Sequence, residues 1–492
     1  MERPIRALLI ALTIAGLPFL FYVAGCGGSG GTPPPPPVHN EWAWMDGANT
    51  ADQPGTYGTQ GVPSASNSPG ARLWACSWTD QSGNFWLFGG YGFGSSANEG
   101  TFGDLWEYSN GHWTWVGGPY QPVGSDYPLQ PGIYGTMGVP APANQPGARY
   151  LATCWTDPQG NLWLYGGQGF DSTGTNGLLD DLWRYSNGEW AWMNGSNIAA
   201  QPGLTGVWQG EAVFGTKGVA APDNTPGVRY WASSWADSTG NLWLFGGLGE
   251  VSNGTPYGLG GNLNDLWTYT PSTGEWTWMA GSNQIDQYGT YGTLGTPAPG
   301  NTPGTRSGAA AWTDASGNLW LFGGSGVGIV GDDCGGGVVC ILNDLWKFDP
   351  SLNEWTWMGG PDESDQPGVY GTEGVASPGN LPPPREDAAA TSDAEGNFWL
   401  FGGDVLTGGL YNDLWKYSNG EWTWMSGAQN DVCQAGVYGI LGTPAAANVP
   451  SARTSSVGWI DKSGNVWLFG GGELGCATSS ETKLNDLWEY QP

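Results

Sequence analysis

The chain has 492 residues, of which only 12% are charged, and a formal net charge of −30. Globular proteins usually carry roughly 25% charged residues, and an acidic surface of this kind disfavours nucleic acid and anionic membrane as partners. Gly (87) and Pro (36) together form a quarter of the chain, but they fall in a regular period that marks turns and strand ends rather than low complexity.

Residues 1–25 read as a targeting segment. Arg3 and Arg6 precede an apolar stretch, 7–22, of signal-peptide rather than membrane-span type. Val23-Ala24-Gly25-Cys26 resembles the bacterial lipobox. The resemblance implies cleavage before Cys26 and lipid on its sulfur and amine. The alternatives are an ordinary secretory signal and an uncleaved anchor. Gly27, where a retaining Asp would stand, points to the outer membrane of a two-membrane cell. Each buried lipid CH₂ contributes about 0.8 kcal/mol, so the membrane is expected to be met only through Cys26. Residues 26–40 form the lipidated Gly/Pro-rich tether, stiffened by Pro33 to Pro37 in polyproline II.

From Glu41 to Pro492 one pattern recurs. Its most constant stretch reads NFWLFGG at 84–90, NLWLYGG at 161–167, NLWLFGG at 241–247 and 318–324, NFWLFGG at 397–403 and NVWLFGG at 465–471. Alternating bulky apolar residues that stop at a glycine pair predict a buried strand with a sharp exit. Each unit adds an Arg-led strand, a tight D-x-x-G-N turn, a variable loop, D-L-W-x-[YF], a short turn and W-x-W. In the second unit these run over Arg149 to Trp155, Asp157 to Asn161, Asp181 to Tyr185 and Trp190 to Trp192. No stretch of the body combines apolar 3.6-residue spacing with helix caps, so the body is predicted to be all-β. Four short antiparallel strands per unit make one propeller blade. The chain opens with an orphan W-x-W (Trp42, Trp44) and closes with a D-L-W-E-Y (486–490) that lacks one. Strand 41–45 is therefore predicted to complete the sixth blade and close the ring, which removes a free edge.

The glycine doublet, a Tyr, and a Trp seven residues later (Tyr108/Trp115, Tyr185/Trp192, Tyr269/Trp276, Tyr417/Trp424) resemble kelch repeats. The resemblance covers 41–492 and implies a six-bladed kelch-type propeller of the galactose-oxidase-like superfamily. Units here average about 76 residues against roughly 50 in kelch repeats. The excess lies mainly between W-x-W and the next Arg.

In a four-stranded meander the connections alternate between two faces. Here the tight turns share one face and the long loops the other, and long loops on a rigid scaffold are where binding usually resides. The connections into each unit carry G-x-[YF]-G followed by N-x-P-x-x-R. Their aromatics are Tyr57, Tyr134, Phe214, Tyr291, Tyr370 and Tyr438, and their asparagines are Asn67, Asn144, Asn224, Asn301, Asn380 and Asn448. Their arginines, Arg72, Arg149, Arg229, Arg306, Arg385 and Arg453, are expected to ring the mouth of the central channel. The motif is read either as ligand contacts or as scaffold, with each Arg bound to a DLW aspartate or to loop carbonyls. Sixfold identity favours scaffold.

Two features break the repeat. Of 32 tryptophans, Trp74, Trp208 and Trp231 fit no repeated position. Trp208, within GLTGVWQGEAVFG (203–215), is the leading single binding candidate, as a sugar-stacking platform; the competing reading is that it pins its own loop. The fifth unit reads Arg385-Glu386-Asp387 where the others are uncharged after the Arg. A carboxylate near the axis serves as an acid/base group, a cation ligand or a channel lining.

Export permits disulfides. Cys334 and Cys340 are predicted to close one loop, DDCGGGVVC, and Cys433 and Cys476 form a second candidate pair. Cys76 and Cys154, in first strands of neighbouring units, face either together or apart. Copper chemistry of the galactose-oxidase type needs histidine ligands, and the chain has only His39 in the tether and His112 in a tight turn. HExxH, Walker A and GxSxG motifs are absent, and no catalytic residue is assigned. No cofactor is expected, with calcium the one cation that suits the acidic loops. The leading expectation is a non-catalytic binding or scaffold propeller on the bacterial envelope, recognising a glycan or a protein through its long-loop face. The alternative is a carbohydrate-active hydrolase or lyase with its site at the loop-face mouth of the channel.

Overall fold

The computed structural model describes residues 40–96, 98–122, 130–200, 210–251, 260–329, 340–405, 409–429, 433–474 and 481–492. The leader, the tether up to residue 39, Cys26, Trp208, Cys334 and Cys476 lie outside the described residues. Among the described residues every regular element is a β-strand and none is a helix.

The second unit shows how the sequence builds a sheet. Thr153–Thr156, Leu162–Phe170, Asn176–Ser186 and Glu189–Asn194 pair in that order, all antiparallel. The first turn is closed by its aspartate. Asp157 Oδ1 accepts from Asn161 N at 2.9 Å, and Oδ2 accepts from Asn161 Nδ2 and Trp163 Nε1, both at 2.8 Å. The bond to the tryptophan recurs from Asp80 to Trp86, Asp237 to Trp243, Asp314 to Trp320, Asp393 to Trp399 and Asp461 to Trp467. Each turn thus fixes the strand that follows it.

Five more four-stranded antiparallel pathways share this order. In the last, Val457–Ile460, Val466–Leu474 and Glu481–Gln491 are joined by Glu41–Asp46, with Trp42 opposite Tyr490 and Trp44 opposite Trp488. The first strand of each sheet packs against the first strand of the next, and Val457–Ile460 packs against Cys76–Thr79. Between sheets the space is filled by aromatic layers. Phe85 stacks on Trp459 with ring centroids 5.1 Å apart, and Trp113 meets Phe469 at 5.3 Å. The DLW tryptophans Trp106, Trp183, Trp267, Trp346, Trp415 and Trp488 are wholly buried. The arrangement is that of a β-propeller.

Two expectations need correction. The Arg-led strand is not continuous: Arg149–Tyr150 and Thr153–Thr156 are separate strands, and Leu151 between them has φ of 55°. Nor does the glycine doublet always end its strand. Leu162–Phe170, Leu319–Gly326 and Val466–Leu474 run through it with a register shift. At Gly166 (φ 62°) a Cβ would lie 2.8 Å from the carbonyl oxygen of Arg229 in the next unit. The doublet is a bulge where one unit's backbone passes close to its neighbour's.

The long connection has a structural use. It turns back along the outer strand of its own unit, with Gly61 N donating to Trp115 O at 2.8 Å and Gly138 N to Trp192 O at 2.7 Å. The equivalent bonds occur at Gly218, Gly295, Gly374 and Gly442. Each outer strand is covered where it would otherwise offer unpaired groups to another chain. Cys76 and Cys154 face each other and are bonded, with Cα atoms 6.0 Å apart and a sequence separation of 78. Cys340 is disulfide-bonded.

Trp42 is 1% exposed and its carbonyl accepts from Asn448 Nδ2 at 3.0 Å. Deleting 41–45 is expected to destabilise the chain by more than the ~3–5 kcal/mol that truncating one buried Trp costs. The urea midpoint of the truncated chain tests this, and an unchanged midpoint refutes it.

Candidate functional site

The six motif arginines lie inside the molecule. Each guanidinium forms an ion pair with the DLW aspartate of its own unit, Arg72–Asp104, Arg149–Asp181, Arg229–Asp265, Arg306–Asp344, Arg385–Asp413 and Arg453–Asp486, at 2.6 to 2.8 Å, with no partner more than 1% exposed. Arg306 is typical. Nη1 and Nη2 bind the two oxygens of Asp344, Nη1 also donates to Gly323 O in the glycine doublet, and Nε donates to Gly304 O in the entering loop. Tyr291 Oη and Trp346 Nε1 donate to the same carboxylate, each at 2.7 Å. Burial works against the charged guanidinium, but the facing aspartate outweighs it and holds Arg306 above its ordinary value. Tyr57, Tyr134, Tyr370 and Tyr438 make the bond that Tyr291 makes. Phe214 cannot, having no hydroxyl. The motif asparagines tie the connection to the outer strand, as Asn67 does through Nδ2 to Val62 O and Trp113 O, both at 3.0 Å.

Two residues beyond each arginine the backbone does something the repeat did not announce. Trp74, Leu151, Trp231, Gly308, Asp387 and Ser455 all have φ between 53° and 64°. Each amide donates to the carbonyl of its counterpart in the preceding unit: Leu151 to Trp74, Trp231 to Leu151, Gly308 to Trp231, Asp387 to Gly308, and Ser455 to Asp387, at 2.9 to 3.1 Å. Trp74 N donates to Ser455 O at 3.4 Å. Five non-glycine residues hold a conformation that L side chains avoid, because the chain of bonds between units over-determines it.

These positions lie on the long-loop side of the first strands and line one cavity of about 180 Å³. The residues that follow them, Ala75, Ala152, Ala232, Ala309, Ala388 and Ser456, form its floor. Units one to three supply aromatic bulk. Trp74 stacks on Tyr150 at 5.6 Å, Tyr91 meets Tyr150 edge-on at 5.9 Å, and Trp231 stacks on Tyr230 at 6.3 Å. Units four to six supply Gly308, Asp387 and Ser455. Asp387 Oδ2 accepts from Ser455 Oγ at 3.0 Å and from Trp74 Nε1 at 3.4 Å. Ser456 Oγ is buried without a hydrogen-bond partner among the described residues.

The acidic side is a graded cluster. Burial, then the charge of Glu386, pushes the Asp387 carboxyl well above the usual carboxylate range against the hydrogen bonds from Ser455 and Trp74. Burial, then Asp404, pushes Glu386 up to about 7. Asp404 is raised to about 6, chiefly by burial and further by Glu481. Among the described residues no group of three or more His, Cys, Asp or Glu is arranged to hold a metal ion.

Sequence reasoning found Glu386 and Asp387 but not the wall opposite them. The signal was present: the column two after each Arg differs from unit to unit, whereas the next column is Ala or Ser throughout.

No family model matches the chain. A stretch of 198 residues is 28% identical to multiple epidermal growth factor-like domains protein 8 of Mus musculus and of Homo sapiens, covering 40% of this chain and 5% of those proteins. The chain thus spans about one-twentieth of the relatives it matches. The solved structure of YjhT is similar with a TM-score of 0.45 and 13% identity, over 88% of this chain and 96% of that one.

Removing one partner of a buried pair leaves an uncompensated charge, so Asp344→Ala is expected to cost ~3–5 kcal/mol in chemical denaturation; a loss below 1 kcal/mol would sink the scaffold reading of these arginines. The raised carboxylates bind protons more tightly folded than unfolded, so their ionisation lowers stability as pH rises from about 4.5 to about 7.5. Glu386→Gln should therefore gain in melting temperature on the wild type across that window, by about 2 °C, and parallel curves would refute the burial of Glu386.

Proposed function

We propose that the chain is a six-bladed propeller of kelch type, closed by strand 41–45, that binds a ligand without turning it over. One observation carries this reading. On a frame whose contacts repeat from unit to unit, the mouth positions differ in kind, large and apolar on one side (Trp74, Leu151, Trp231) and acidic or small on the other. Frame stability does not require that difference, and a cavity with convergent aromatic and polar groups is the default binding site. At about 180 Å³ it is smaller than drug-sized pockets of ~300–1,000 Å³ and suits one sugar ring or end group.

The ligand is a glycan met by the long-loop face, with the off-pattern Trp208 of the loop sequence 203–215 as a candidate contact. A protein partner read by the loops is the competing ligand. The leader 1–25 and tether 26–40 hold the body in the envelope through lipid on Cys26, in the outer membrane of a two-membrane cell. Arg3, Arg6 and the apolar 7–22 before Cys26 support this.

A second reading is favoured by Glu386 and Asp387. Carboxyls with raised pKa in a cleft are suited to proton transfer, which fits a carbohydrate-active hydrolase or lyase at the same mouth.

A thermal-shift screen of the full-length chain in detergent, against neutral and acidic oligosaccharides with Ca²⁺ or EDTA, tests these readings. A ligand at 100 times its Kd stabilises by about 2.7 kcal/mol. The shift should vanish in Trp74→Ala and Trp231→Ala. A shift that survives both variants moves the site away from the mouth, and turnover lost in Glu386→Gln replaces binding with catalysis.

A further inference from the structure

We propose that the mouth receives an ammonium group carried on a single ring-sized ligand of the amino-sugar class, held between the indoles of Trp74 and Trp231 and the carboxyl of Asp387. This rests on the binding reading above and names the chemistry that the site selects.

Among the described residues the lining contains no basic side chain, and its one acidic side chain is that of Asp387. The nearby cations are committed elsewhere. The six motif arginines face into their sheets, and Lys483 pairs with Glu99 and lies over the Tyr91 ring at 5.5 Å. An anionic ligand would therefore find no counter-charge, whereas the net charge of −30 draws cations toward the surface. The aromatic wall acts in the same direction, because indole faces attract ammonium groups and Trp is the best of the rings for this. The ring stacks behind Trp74 and Trp231 hold both indoles in place. Ser456 points to a polar guest. It is 9% exposed, lines the cavity, and its Oγ has no partner among the described residues. A hydroxyl oxygen can accept from an ammonium N–H.

The carboxyl cluster gives the binding step a signature. Asp387 faces Glu386, Ser455 and Trp74; Glu386 faces Asp404 and Ser325; Asp404 faces Glu481, beside Lys483 and Glu99. With no cation present, burial and mutual repulsion favour the protonated carboxyl. An arriving ammonium supplies the missing counter-charge, so a carboxylic acid and R–NH₃⁺ become a carboxylate–ammonium pair and one proton leaves to solvent. A neutral sugar has no such effect.

Isothermal titration of the full-length chain with D-glucosamine, N-acetyl-D-glucosamine and D-glucose at pH 6.5, in two buffers of different ionisation enthalpy, tests the proposal. Glucosamine should bind at least tenfold more tightly than the other two and release protons, approaching one per ligand. Asp387→Asn should lose at least tenfold in affinity and most of the proton release, while Trp74→Phe and Trp231→Phe, which keep an aromatic ring, should lose several-fold. If glucose or N-acetylglucosamine binds as well as glucosamine without proton release, the ammonium class is overturned and the binding reading stands. If glucosamine binds but none of the three variants alters it, the mouth is not the site. If glucosamine gives no binding heat up to its solubility, the proposal fails outright.

Discussion

The buried arginine–aspartate pair is the contact on which the rest of each unit depends. At Arg306 it gathers five groups from three segments: Gly304 O and Tyr291 of the entering loop, Gly323 O of the glycine doublet, and Asp344 and Trp346 of the third strand. Burying such a pair is costly, and the cost is offset only when geometry is good and the remaining donors and acceptors are satisfied. Bidentate contact and the further donors to the carboxylate meet that condition. The third unit departs from this pattern at two points. Phe214 has no hydroxyl to donate and Arg229 Nε has no partner among the described residues, while Tyr165 of the preceding unit donates to Gly227 O at 2.8 Å in the same region. The pair also shapes the surface. Six of only 14 basic residues are interior, so the exterior is poorer in cations than composition alone suggests.

Much of this was legible in the chain. Alternation and turn residues locate the strands, because a half-buried strand in a layered fold must alternate and its turns must reverse. The arginines were read either as ligand contacts or as scaffold bound to DLW aspartates or loop carbonyls, and each in fact binds both kinds of acceptor. What could not be read is where the backbone leaves regular structure for tertiary reasons. A left-handed residue is normally betrayed by Gly or Asn, yet here the positions hold Trp, Leu, Trp, Asp and Ser, with glycine only at 308. The conformation is imposed by bonds to the neighbouring unit, which leave no local trace. The Arg-led segment therefore looked like one unbroken strand.

The same cause explains why the sequence singles out Trp208 rather than Trp74 and Trp231 as a binding residue. An off-pattern tryptophan in a long loop looks exposed, whereas one beside an arginine in a strand looks like packing. Only the break at the second position after the arginine turns those two indoles into the cavity. The cysteines illustrate a related limit. Alternation gives the face of a strand on which Cys76 or Cys154 lies, but not how two inner strands are staggered against each other, and that stagger decides whether the sulfurs meet.

The ring of amide-to-carbonyl bonds at the mouth is built from main chain alone. No side chain contributes to its closure, and the floor beneath it is uniformly small. Its six side chains are therefore not needed to form that ring, although Asp387 also accepts from Ser455 and Trp74 across it. Substitutions there can rewrite what the mouth accepts while the ion pairs and aromatic layers go undisturbed. Duplicated units that began alike could diverge in recognition through these positions without renegotiating the fold, and a designer could treat them as a six-letter word written on an inert frame.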